Sequence, residues 1–123
     1  MKINLNETCG NSPKNTFVQD YTVMLLSLDY DYLANKSVEN VKIMIPDRGL
    51  IEGKSNLFAL EKWLPTDFEV LTIETAISHG KSGAAHCIMR NNNKDYMISV
   101  HYIFQNLKAQ LIEEAVILIV EIK

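Results

Sequence analysis

Two adjacent glutamates, Glu113 and Glu114, interrupt an otherwise aliphatic run from Leu111 to Val120. Neighbouring side chains on a β-strand point to opposite faces, so one carboxylate of such a pair turns inward and the other outward. A carboxyl group desolvated in an apolar interior has its pKa raised and can act as an acid or base near neutral pH. The plainer arrangement is a half-exposed strand edge with two solvated glutamates. His86 and His101 flank the polar break Asn91-Asn92-Asn93-Lys94. With Asn92 and Asn93 at a hairpin tip, Ala85 pairs with Val100 and His86 with Ser99, which sets the two histidines diagonally on one face. That face lies opposite Val100 and is the outer one, so the pair suits a polar part of an intermolecular contact better than a metal centre. His79, beside Gly80, reads as a loop residue. Cys87 faces the core near Ile98 with no histidine on its side, the setting of an inert small hydrophobe. The sequence contains no HExxH, paired CxxC, glycine-rich phosphate loop or GxSxG, and it implies neither a metal nor a cofactor.

The elements that must carry these residues can be read from the punctuation. Ser12-Pro13 starts a helix, with a hydroxyl cap followed by a proline where no N–H donor is needed. Phe17, Tyr21, Met24, Leu25 and Leu28 then recur at helical spacing. Asp29 to Leu33 is a helix end or a second short helix. Val41 to Ile45 is a β-branched strand stopped by Pro46, Pro46 to Gly49 a turn, and Leu50 to Glu52 a short return strand. Gly53 opens a second helical segment in which Leu57, Leu60 and Leu64 share a face, with Pro65 beyond its end. The period then changes to that of strands over Phe68 to Ser78, Ala84 to Arg90, Tyr96 to Phe104 and Leu111 to Ile122. Their short connections favour antiparallel neighbours. Helices first and an antiparallel sheet afterwards define an α+β domain over residues 12–123, behind a loose arm over residues 1–11.

Composition sets the outer bounds. A chain of 123 residues that is 47% hydrophobic can fill one core without disulfides or a structural metal. The net charge of −3 favours neither a nucleic-acid backbone nor an anionic membrane as partner. Two isolated cysteines, Cys9 and Cys87, suit a reducing compartment. The polar N-terminus and the lack of any long apolar run make a cytoplasmic location the expectation.

The order of elements resembles the nuclear transport factor 2-like superfamily, which includes SnoaL-like polyketide cyclases and ketosteroid isomerase. The resemblance runs from about Pro13 to the end. Its best local pieces are Leu28-Asp29-Tyr30-Asp31-Tyr32-Leu33 and Ile51-Glu52-Gly53-Lys54. It implies a curved sheet wrapped around helices as a cone that serves as a small-molecule pocket, and a homodimer through the outer sheet face. It also implies an apolar pocket lined by Tyr21, Leu25, Leu60, Trp63, Cys87, Ile98, Val100, Tyr102 and Val116. The two aspartates of the isomerase correspond to Ile45 and Val100, which can neither take nor give a proton, so that mechanism is unavailable. Tyr21 matches the isomerase's tyrosine donor. Matching the last strand to the family turns Glu114 inward with Val116 and Leu118, and the competing register turns Glu113 inward. The resulting expectation is a domain that binds a small hydrophobic molecule. An acid–base enzyme using Glu114 and Tyr21 and a protein-interaction module are the alternatives.

Overall fold

Ser12 caps helix α1 (Pro13–Leu26) by accepting a hydrogen bond from the Asn15 N–H at 3.3 Å, with Pro13 in the first turn. The structure, a computed structural model, describes residues 2–5, 12–108 and 111–122. Asp29 caps the short helix α2 (Tyr30–Asn35) through the Tyr32 N–H. Strand β2 (Ser37–Ile45) starts four residues before the β-branched run, and β3 (Gly49–Glu52) returns beside it. Gly53, at φ +90°, leads into a 3-10 helix over Lys54–Lys62. Its three-residue period puts Leu57 and Leu60 on one buried face.

Four long strands follow: β4 (Val70–His79), β5 (Ser82–Asn91), β6 (Lys94–Phe104) and β7 (Ile112–Ile122). They form antiparallel neighbours, and His86 pairs with Ser99 and Ala85 with Val100, as the hairpin-tip argument requires. With β1 (Lys2–Asn4) at one edge, the whole sheet runs β1-β4-β5-β6-β7-β2-β3, curved and unclosed. Two pairings between segments distant in sequence are parallel: β2 with β7, and β1 (Lys2–Asn4) with β4. Lys2–Asn4 is therefore held in the sheet rather than loose. Positions 6–11 of the expected arm, Cys9 among them, lie outside the described residues.

The helices cover one face of the sheet. Val18, Tyr21, Leu25 and Leu26 of α1 are buried against it, each burial being worth about 1.5–3 kcal/mol before entropy is counted. On β6 the inward set Ile98, Val100, Tyr102 and Phe104 is buried, while Met97 and His101 are exposed. Gly83 lets α1 approach β5 closely, since a Cβ there would lie 2.8 Å from Val18 Cγ2 and 2.9 Å from Phe104 Cζ. Among the described residues, no helix is long and apolar enough to cross a membrane.

Candidate functional site

The helix-covered side is built from aromatic rings. Tyr21 meets Tyr102 edge-on with centroids 5.4 Å apart, and Phe17 and Tyr32 lie 6.1 and 6.2 Å from Tyr21. Burial forces their hydroxyls to find partners. Tyr21 Oη is 2.7 Å from Ser37 Oγ, and Tyr102 Oη is 2.6 Å from Thr22 Oγ1. Burial pushes the Tyr21 hydroxyl up to about 12 against the opposing pull of Ser37, and lifts Tyr102 well above its ordinary value. Burial, with Glu74 nearby, likewise pushes the Cys87 thiol up to about 12. Of the nine residues expected to line a pocket, Tyr21, Leu25, Leu60, Cys87, Ile98, Val100 and Tyr102 are fully buried members of this core. Trp63 is half-buried, with its ring against Gly49. Val116 is on the other side of the sheet.

The last strand corrects the expected register. Ile112, Ala115 and Ile117 face inward, and both Glu113 and Glu114 are exposed. Ile103 pairs with Glu114 and Phe104 with Ile112, which leaves Glu113 as the extra residue of a β-bulge. The bulge places two successive residues outside and spares either carboxylate the cost of desolvation. Glu114 therefore shares the outer face with Val116 and Leu118, the same neighbours as expected but on the opposite side of the sheet from Tyr21. The two groups of the acid–base alternative do not meet.

On the outer face the strand registers set side chains in rows. One row runs Thr75, His86, Ser99, Leu118 and the next Ile77, Ala84, His101, Val116, Met44. These rows, without Met44, floor a cleft of about 320 Å3, with the backbones of Ala85 and Val100 between them. A smaller cleft of about 230 Å3 continues from Ile77, Ala84 and His101 to His79, the last residue of β4.

Three polar side chains join across the first row. His86 Nδ1 lies 3.1 Å from Ser99 Oγ, and His86 Nε2 lies 3.2 Å from Glu74 Oε1. The placement of His86, Ser99 and His101 on one face follows from the hairpin register. The contribution of Glu74 does not, because it depends on a second bulge: Ile73 pairs with Cys87 and Thr75 with His86, which leaves Glu74 as the extra residue. The sequence signal is the broken alternation Ile73-Glu74-Thr75-Ala76, two polar residues between two apolar ones. Glu113-Glu114 between Ile112 and Ala115 shows the same break.

A mixed sheet of this order with helices on one face defines a nuclear transport factor 2-like fold, and comparison with known structures agrees. The chain is similar to a proposed ketosteroid isomerase from Kribbella flavida at 16% identity and a TM-score of 0.72, covering 89% of this chain and 79% of that one. It is also similar to an NTF2-like protein of unknown function from Cytophaga hutchinsonii at 16% identity and a TM-score of 0.68, over 87% and 99% of the two chains. A de novo designed protein with a curved β-sheet matches at 12% identity and a TM-score of 0.68, over 89% and 88%. No protein-family model and no curated protein matches the sequence. Likeness at these identities establishes the fold, and the match to a designed protein shows how little that fold dictates about activity.

Proposed function

We propose that this domain binds a small, mainly apolar molecule without transforming it, and that the binding site is the cleft on the open face of the sheet. The observation that carries the reading is that cleft. Its volume of about 320 Å3 falls within the range of small-molecule sites, and its floor is largely apolar with Thr75, His86, Ser99 and His101 as the polar groups. The proposed site thus moves from the helix-covered interior, where the tyrosines already partner Ser37 and Thr22, to the outer face. The separation of Glu114 from Tyr21 supports binding over the acid–base alternative. A free, buried thiol at Cys87 is consistent with a cytoplasmic setting.

The test is mapping of amide shifts by NMR on titration with naphthalene-sized apolar fragments. Shifts confined to the outer rows of β4 to β7, and their loss in Leu118→Asp, are the expected result. Shifts centred on Tyr21 and Leu60 would return the site to the interior and sink this reading.

A second reading is favoured by the apolar side chains around the cleft. Ile77, Leu118 and Val120 are 55%, 52% and 59% exposed on one face. Such a patch commonly marks a contact between molecules, and a two-fold homodimer through this face would cover it. Sedimentation as a monomer at high micromolar concentration would remove this reading and leave the first. A charged substitution at Ile103 should dissociate a dimer before it unfolds the domain.

A further inference from the structure

We infer that the open-face cleft selects ligands whose polar end is a hydrogen-bond donor, an O–H or N–H on an otherwise apolar body, and that Ser99 reads that donor. The inference rests on the cleft being a ligand site and adds the chemistry of the ligand's polar end.

The protons are ordered along Glu74, His86 and Ser99. An ionised carboxylate only accepts hydrogen bonds, so the contact of Glu74 with His86 Nε2 at 3.2 Å places a proton on Nε2. In the neutral ring Nδ1 is then a bare acceptor. The partner within reach of Nδ1 is Ser99 Oγ at 3.1 Å, so the serine hydroxyl donates its one proton to the ring. What Ser99 turns to the cleft is an oxygen with lone pairs and no hydrogen. Its neighbour on the other side of the row is Leu118, which has nothing to donate. A ligand that presents an alcohol, phenol or amide N–H completes the chain. An ether or carbonyl oxygen brings lone pairs against lone pairs, and a carboxylate adds repulsion from Glu74.

Two features make this a built arrangement. Glu74 reaches His86 because the β4 bulge exposes both Glu74 and Thr75 between the buried Ile73 and Ala76. The three residues come from three adjacent strands, whose pairing fixes the spacing. The same order of carboxylate, imidazole and hydroxyl activates serine nucleophiles elsewhere. Here Ser99 sits in mid-strand with β5 and β7 paired on either side, so the neighbouring backbone N–H groups belong to the ladder and form no oxyanion site. The relay therefore orients a binding group.

The test compares 2-naphthalenemethanol with its methyl ether, two probes of nearly equal apolar area that differ in the donor. Binding is read by calorimetry at pH 8.5. The wild-type protein should prefer the alcohol by about tenfold, the scale of one hydrogen bond in a shielded site. Ser99→Ala should abolish that preference while leaving ether affinity within about twofold, a split that general loss of structure would not give. His86→Ala, which frees the Ser99 hydroxyl to rotate, should also bring the two affinities together. Equal binding of both probes by the wild-type protein would overturn the donor rule and leave the cleft standing. Binding of neither would overturn the donor rule and the cleft together.

Discussion

Replacing Thr22 by valine should destabilise the domain more than replacing its partner Tyr102 by phenylalanine. The reason lies in which atom holds which proton. Thr22 Oγ1 donates to the Val18 carbonyl at 2.7 Å, so in the 2.6 Å contact with Tyr102 the phenol must be the donor. Both residues are fully buried. Tyr102→Phe leaves the Thr22 proton satisfied and only a lone pair idle, at a cost of about 1 kcal/mol, the usual net worth of one hydrogen bond. Thr22→Val strands a phenol proton in the core, which should cost about 2 kcal/mol. In the double variant the stranded group is gone, so the total should fall short of the sum by about 1 kcal/mol. Urea unfolding followed by far-UV circular dichroism measures all three, and each kcal/mol should move the melting temperature by roughly 3–5 °C. Additive costs, or a larger loss for Tyr102→Phe, would refute the proton assignment and with it the reading of this contact as structural.

Three further outcomes follow from the same structure. Stability should fall as the pH rises from about 9 toward 12, because the Cys87 thiol ionises at about 9 and the Tyr21 and Tyr32 phenols at about 10 when unfolded, whereas all three ionise at about 12 when folded. The unfolded state then loses protons first, with a slope of about 1.4 kcal/mol per pH unit for each fully buried group, and Tyr21→Phe should remove one such contribution above pH 10 and leave those of Cys87 and Tyr102, with urea midpoints followed through this window. Glu114→Gln should leave stability within about 0.5 kcal/mol of wild type, as for an exposed side chain, whereas Gly83→Ala should cost about 1–3 kcal/mol by forcing Val18 and Phe104 apart. In a Cys9→Ser background, Cys87 should react with a disulfide reagent only as fast as the domain opens, because burial holds the thiol up near 12. Rapid labelling of the folded protein would contradict that placement.

The sequence alone determined the elements and much of their pairing. Ser12-Pro13 and Gly53 mark where helical segments begin because a capping hydroxyl and a residue free of Cβ strain act within a few residues. The alternation of Tyr96 to Phe104 and the asparagine tip fix a hairpin register, and with it the shared face of His86, Ser99 and His101. What the sequence could not decide was which side Glu74 and Glu114 would take. Strict alternation puts one residue of each polar pair inside. A bulge puts both outside, and the choice depends on strands far away in the chain. Burying a carboxylate is costly and one unpaired ladder position is cheap, but that comparison exists only once β6 lies beside β7 and β5 beside β4. The occupancy of the interior was likewise a tertiary matter. Tyr21, Tyr32 and Tyr102 come from two helices and a strand, and only their assembly shows that they bury one another, hydrogen-bond to Ser37 and Thr22, and leave the open face of the sheet to carry the cleft.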